Sequence, residues 1–235
     1  MALDPELAEL FATVPTPTIS AVLNGMGIRA WLSGGPGIGV TPLDPDNAAF
    51  VATAFTMRAI PSRKGLQSME APVNAHHEAC QAVGPGQALI TDTGSSSSVS
   101  FFGELISTYL SKKGCEAIVT DAGICDVFDV AATGMPAFCA RGSVASDGSM
   151  TICEHSCPIS FCGVAVYPGD VLVGDRNGVV AVPRELAPEV AKKAHEKEEL
   201  ERYLVKKLAE GAELEGTYPP GEAQIAEFNA FKASL

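Results

Sequence analysis

Two textures of apolar residues alternate along the first 140 positions. Short runs rich in β-branched or consecutive apolar residues at 50–60, 88–92, 117–121 and 137–140 suit strands. Between them, apolar residues spaced for one helical face occupy 67–83, 103–113 and 126–133. Gly84-Pro85-Gly86, Gly114 and Gly134 punctuate the ends of these helices. Short helices are also predicted over 5–12 and 18–26, with Thr16 or Thr18 capping the second and Gly25 and Gly27 ending it. The Gly- and Pro-rich segment 30–45 reads as loop, as does the polar run 93–100 with its four serines, Ser95 to Ser98. Past residue 148 short β runs crowd together at 149–153, 159–166, 171–174 and 178–182. Tight turns fall at Pro168-Gly169-Asp170 and Asp175-Arg176-Asn177-Gly178. A long charged helix over 185–210 and a short one over 222–231 close the chain.

Strand and helix alternate first and strands dominate later, which predicts an α/β fold: a mixed-sheet sandwich with a C-terminal helical extension. A Rossmann domain is not expected, because no G-x-G-x-x-G follows an early strand. Gly and Pro are spread rather than pooled, so no linker is indicated. One domain over 1–235 is expected, with its core at about 15–183 and C-terminal helices at about 184–235.

Charge narrows the function classes. The net charge is −12, and the basic residues cluster only as pairs, such as Lys112-Lys113 and Lys206-Lys207. That balance argues against a nucleic-acid partner, although a small anion can still be held by local donors. No apolar run approaches the ~20 residues a membrane helix needs. The first ten residues carry acids rather than a basic leader. The seven cysteines are an odd set for a disulfide scaffold, so free thiols in a reducing, cytoplasmic setting are expected.

Two joins carry the candidate chemistry. In the first, the strand ending at Asp92 leads through a polar loop to a helix opening with Gly103-Glu104-Leu105-Ile106. A helix start leaves N–H groups unpaired and carries roughly half a positive charge, and Gly103 lets a ligand approach the backbone. A carboxylate or phosphate suits such a place, but on this feature alone an ordinary loop whose serines cap the helix is the favoured reading. In the second, Thr120-Asp121-Ala122-Gly123-Ile124-Cys125-Asp126 follows an apolar strand, at the end where α/β folds gather ligands. Asp121 and Asp126 are both placed in this turn. A hard cation such as Mg²⁺ takes one or two carboxylates plus waters. Equally, Asp126 can cap the next helix and Asp121 can brace the turn. If both joins face one crevice, amide hydrogens hold the carboxylate of a small 2-oxo acid and a metal polarises its oxo group.

Other chemistry-bearing residues read more plainly. Cys153, Cys157 and Cys162 with His155 lack a C-x-x-C spacing and read as a thiol cluster rather than a zinc site. His76-His77 sits in a helical stretch, where packing is the default. Asp170, Asp175 and Arg176 read as turn residues. Ser95 to Ser98 have no G-x-S-x-G context for a hydrolase. Glu198 and Glu201 share a helix face, either solvated or offered to a neighbouring subunit's site.

Residues 50–56, Pro85-Gly86 with Asp92, Gly103-Glu104-Leu105-Ile106, residues 121–126 and the long segment 168–183 together resemble the RraA-like / 4-hydroxy-4-methyl-2-oxoglutarate aldolase family, over roughly residues 15–210. The resemblance implies a swivelling β/β/α-type fold assembled as a homotrimer or homohexamer. It also implies a class II aldolase that uses Mg²⁺ or Mn²⁺, cleaves 4-hydroxy-2-oxo dicarboxylic acids to pyruvate, and has side activity as an oxaloacetate decarboxylase. It puts the metal ligand on Asp126, the substrate-binding turn on Gly103 to Ile106, and a neighbouring subunit's glutamate near Glu198 or Glu201.

The chain departs from the family pattern at two places. Cys125 stands where the aldolases carry an arginine just before the metal aspartate, and Ala21 stands where many relatives carry an acid. A thiol has neither fixed positive charge nor a forked donor pair. Losing such a contact in a dry site costs ~2–4 kcal/mol of transition-state stabilisation, on the order of tens to a thousandfold in rate. Cys125 can be a packing residue, can make room for a different substrate, or can act itself. The second reading is preferred because the rest of the turn is intact, with Phe101, Phe102 and the serine loop lining a reshaped pocket. The expectation is thus a metal-dependent lyase, aldolase or decarboxylase, on a small carboxylated 2-oxo or hydroxy acid. The alternative is a regulatory protein that binds a ribonuclease or another protein.

Overall fold

The computed structural model describes residues 3–32, 39–63, 70–94, 99–145 and 148–233, with backbone alone at 70–74. Eleven strands and seven α-helices are found among the described residues. In chain order they are α1 (Pro5–Ala12), α2 (Thr16–Gly25), β1 (Thr41–Pro42), β2 (Phe50–Pro61), α3 (Glu70–Ala82), β3 (Gln87–Asp92), β4 (Ser100–Phe102) and α4 (Glu104–Lys113). There follow β5 (Ala117–Ile124), α5 (Val127–Ala132), β6 (Ala137–Gly142), β7 (Met150–His155), β8 (Ile159–Phe161), β9 (Val164–Val166), β10 (Val171–Asp175), β11 (Gly178–Val182), α6 (Ala187–Ala209) and α7 (Glu222–Lys232).

One large mixed sheet runs β1-β6-β5-β3-β2-β10-β11, with β4 joined to β5 and β7 joined to β2. The β2-β3-β5-β6 centre and the β4–β5 pair are parallel; the other pairs are antiparallel. Period-two alternation sends side chains to two faces. Ala52, Ala54, Ala88, Ile90, Ala117, Val119, Leu172, Val179 and Ala181 form one apolar layer with the β8–β9 hairpin. Its turn, Cys162 and Gly163, has both φ values positive, at 49° and 77°, the conformation that matches hairpin twist.

On the opposite face Phe55, Met57, Leu89 and Ile118 pack under α3, α4 and α5. Val171, Val173, Val180 and Val182 pack under α1, α2 and α6 at the other end of the sheet. The result is hairpin, sheet and helices in layers, with α6 and α7 as the expected C-terminal extension.

Local expectations change at several places, and the segment 30–45 expected as loop contributes the edge strand β1. The polar run after β3 ends in a strand, β4, which was not anticipated. The strand expected at 117–121 runs on to Ile124, because Gly123 and Ile124 pair with β4 on one side and β6 on the other. Asp121 is therefore inside β5 and not in the turn. Neither threonine caps α2: Pro15 holds the cap position, and the Thr16 N–H and hydroxyl both donate to Asp175, at 2.8 Å each. Residues 67–69 of the predicted third helix lie outside the described residues.

Candidate functional site

The site lies where β4 and β5 end side by side. Ser100 pairs with Gly123 and Phe102 with Ile124, and the Cys125 N–H donates to the Phe102 carbonyl at 3.0 Å. This pairing delivers Gly103, the residue that starts α4, to Cys125 and Asp126. The two joins identified in the sequence thus converge.

Their contact is close. A Cβ on Gly103 would lie 2.6 Å from Cys125 Sγ and 2.7 Å from Asp126 Oδ2. Only glycine permits this cradle of close contacts. Asp126 precedes α5 but does not cap it. Its left-handed backbone, φ 50° and ψ 44°, turns the carboxylate away from its own helix. Asp126 Oδ2 instead accepts the Glu104 N–H at 3.3 Å, so a carboxylate rests at the N-terminus of α4, where the helix dipole favours negative charge. The N-cap residue of α4, Gly103, itself makes no side-chain cap bond. Leu105 and Ile106, in its first turn, have N–H groups without an acceptor in their own helix.

Cys125 Sγ lies 3.4 Å from Asp126 Oδ2 and 3.5 Å from the Phe102 carbonyl. Partial burial, and then the neighbouring Asp126 carboxylate, push this thiol up. The thiol stands as an S–H donor to Asp126.

Asp121 is 3 % exposed, and its Oδ1 accepts both the N–H and the hydroxyl of Thr93, at 2.7 and 2.8 Å. It ties the end of β3 to β5. Asp92 is likewise buried and accepts from the backbone of Gly94 and Ser160. These two aspartates build the frame, whereas Asp126 is exposed at the mouth. Leu105 and Phe128 flank it at 84 % and 88 % exposure.

Phe102 was expected to line the pocket. Its ring is buried in the core beneath the helices, and His76 packs edge-on against both it and Phe101. Ser95 to Ser98 lie outside the described residues. Glu198 and Glu201 sit on α6 at the other end of the sheet; both accept the Thr18 hydroxyl, at 3.1 and 3.3 Å. They also pair with Arg202 and Lys197 respectively. Asp170 accepts the Tyr167 and Arg184 N–H groups, and Asp175 those of Asn177 and Thr16, both in turn-building roles. Cys153 Sγ meets the Arg58 carbonyl, His155 stacks on Phe55, and Cys157 and Cys162 are core residues. A cavity of about 720 Å³ lined by Phe11, Pro15, Phe50, Asp175 and Arg202 shares no residue with the Gly103 and Asp126 turns.

The family model for RraA-like proteins (Aldolase/RraA) matches residues 16–181. The chain belongs to the RraA-like family. Among relatives of this RraA-like chain, an uncharacterized Methanocaldococcus jannaschii protein is 33% identical over 48% of the chain, a match that spans only 54% of that relative's length. A Halalkalibacterium halodurans protein named "Putative 4-hydroxy-4-methyl-2-oxoglutarate aldolase" is 28% identical over 80% of the chain and 81% of its own length. Among solved structures, Streptomyces coelicolor RraAS2, described as an unusual member of the RNase ES inhibitor RraA protein family, superposes with a TM-score of 0.75. It is 29% identical, over 86% of this chain and 97% of that one. The mixed-sheet fold is therefore the RraA-like fold.

The cradle yields a direct prediction. Gly103→Ala drives a methyl group against Cys125 Sγ and Asp126 Oδ2, both side-chain ends that can swing away. The fold is expected to survive with its melting temperature nearly unchanged. On the reading that Asp126 holds a divalent cation, affinity for it is expected to fall at least about tenfold, because a displaced ligand forfeits ~1.4 kcal/mol or more. Calorimetric Mn²⁺ titration of wild type and variant gives the comparison; equal affinity would mean that Asp126 does not work from this position.

Proposed function

We propose that this protein is a divalent-metal-dependent carbon–carbon lyase, of aldolase or decarboxylase type. Its substrate is a small carboxylated 2-oxo or hydroxy acid, and its specificity is altered from that of the standard pyruvate aldolases. The observation that carries this reading is the meeting of Asp126 with the start of α4 across the Gly103 cradle.

Mg²⁺ or Mn²⁺ is compatible with a single exposed carboxylate, since such a hard cation keeps most of its waters. Bound there, the cation would act as a Lewis acid toward a 2-oxo group. The chain's own part is binding and orientation. The first-turn N–H groups of Leu105 and Ile106 are the donors for a substrate carboxylate, at ~0.3–1 kcal/mol from the dipole and more where water is excluded. The Glu104 N–H is already engaged in holding Asp126. Cys125 leaves more room beside Asp126 than an arginine would and supplies no positive charge, so a substrate with fewer anionic groups is favoured.

The reading includes a homotrimer or homohexamer. Exposed Leu105 and Phe128 give the mouth an apolar rim suited to a second copy, and a neighbour's α6 would bring Glu198 or Glu201 toward Asp126. The test is turnover of a panel of 4-hydroxy-2-oxo acids, oxaloacetate and simpler hydroxy acids by the Mg²⁺- or Mn²⁺-loaded protein, scored for released 2-oxo acid and CO₂. No turnover together with no metal binding would sink it. The likeness to the S. coelicolor protein favours a second reading, a regulator that binds a ribonuclease. Capture by a basic ribonuclease segment, retained in Asp126→Asn, would support that reading, and absence of capture would remove it.

A further inference from the structure

We infer that Arg141 supplies, from the strand beside the site, the positive charge that Cys125 does not, and that it grips the carboxylate of a 2-oxo or hydroxy monocarboxylic acid. The inference rests on the lyase reading above and names the substrate class of that same site.

Strand register carries it. The end of β5 is flanked by β4 on one side and β6 on the other, so that Ser100, Gly123 and Arg141 stand abreast. The next rank is Phe102, Ile124 and Gly142. Register partners in a parallel sheet share a face, and successive residues point to opposite faces. Phe102 and Ile124 belong to the core beneath the helices, and a Cβ on Gly142 would meet Val127 of α5 at 3.3 Å. That rank therefore faces the helices. Arg141 faces the other way, and Cys125, one residue past Ile124, shares its face. The two strands stay together beyond this point, where the Ser143 N–H donates to the Ile124 carbonyl at 2.9 Å.

Strand spacing of ~4.8 Å and a rise of ~3.3 Å per residue put the Arg141 and Cys125 Cα atoms about 8 Å apart, a gap that the long arginine stem spans. Gly103 abuts Cys125 Sγ from the β4 side. An acid lying over Cys125 is thus bordered by the start of α4 on one flank and by Arg141 on the other. Arg141 is exposed. Arg176 and Arg202 pair with Asp46 and Glu198, whereas among the described residues no carboxylate pairs with the Arg141 guanidinium.

A guanidinium presents forked donors that match a carboxylate, and its charge is fixed. The first-turn N–H groups of α4 and the Arg141 fork can together serve the two oxygens of one carboxylate. A second carboxylate would add to the negative charge of Glu104 and Asp126, so the monocarboxylic acid is the preferred class.

The experiment titrates the full-length, Mn²⁺-loaded protein calorimetrically with three probes: pyruvate, uncharged methyl pyruvate and dianionic 2-oxoglutarate. Pyruvate is expected to bind at least about tenfold tighter than either of the others. Arg141→Gln is expected to weaken pyruvate at least about tenfold and to leave methyl pyruvate and Mn²⁺ within about twofold, with part of the loss recovered in Arg141→Lys. A purely structural role for Arg141 would weaken all three together. Pyruvate affinity unchanged in Arg141→Gln, no pyruvate binding in wild type, or an equal loss for the ester overturns Arg141 as the grip; the lyase reading then still stands on Mn²⁺ binding and turnover of the acid panel. No turnover together with no Mn²⁺ binding takes both.

Discussion

Asp126→Asn is expected to reduce turnover on the order of a thousandfold and to weaken divalent-cation binding about a hundredfold, while leaving the fold intact. The size of the effect follows from how the carboxylates are divided. Asp92 and Asp121 lie beside the same strand ends, but both are buried and occupied by Gly94, Ser160 and Thr93. They cannot substitute for Asp126 without breaking the β3–β5 tie. Asparagine has the shape of aspartate but lacks its charge, so under the proposed reading the cation would lose its anionic oxygen ligand and the reaction the electrophile that ligand would hold, an effect of about 4 kcal/mol. Stability is expected to change little. The Asp126 side chain makes no cap bond to α5, it is exposed, and asparagine tolerates the left-handed backbone as well as aspartate does. Melting temperature, Mn²⁺ titration and turnover on the substrate found by the panel separate these effects. Undiminished turnover in Asp126→Asn would remove the metal from the mechanism.

Much of this architecture was legible because strands covered on both faces read as continuous apolar runs. Residues 171–174 and 178–182, for instance, form β10 and β11 almost as expected. Gly114 marks the end of α4 through a left-handed turn, φ 85°. The missed elements depend on distant partners. Residues 100–102 make too short a run to signal a strand, and they become β4 only because the edge of β5 accepts them. Asp121-Ala122-Gly123 has the composition of a turn, but two flanking strands override that propensity. At the site, Gly103 and Asp126 could be named from strand–loop–helix grammar. The choice between cap and ligand could not, because it depends on a left-handed φ that no sequence pattern announces. The contacts of Glu198 and Glu201 with Thr18 were equally hidden, since 180 and 183 residues separate the partners.

Acid sensitivity gives the second large effect. His76 on α3 is wedged edge-on between Phe101 and Phe102, beneath the turn that carries Gly103, and its Nε2 is buried with no hydrogen-bond partner among the described residues. Burial, with His77 adding repulsion, pushes the imidazole down from 6.5 to about 4. The neutral ring is therefore the folded form. A folded-state pKa below the unfolded one means that the stability is fully present above about pH 6.5 and is lost as pH falls toward 4. Linkage puts the loss at about 2 kcal/mol between pH 7 and pH 5 and about 3 kcal/mol by pH 4. In His76→Phe the aromatic contacts remain and the titration disappears. Denaturant midpoints of the variant are expected to be nearly flat over pH 7 to 5 where wild type declines steeply. The comparison rests on the slope, so any fixed cost of the larger ring cancels. Parallel slopes would mean that His76 takes up its proton without penalty. The packing beneath the Gly103 turn would then be looser than a buried neutral imidazole requires.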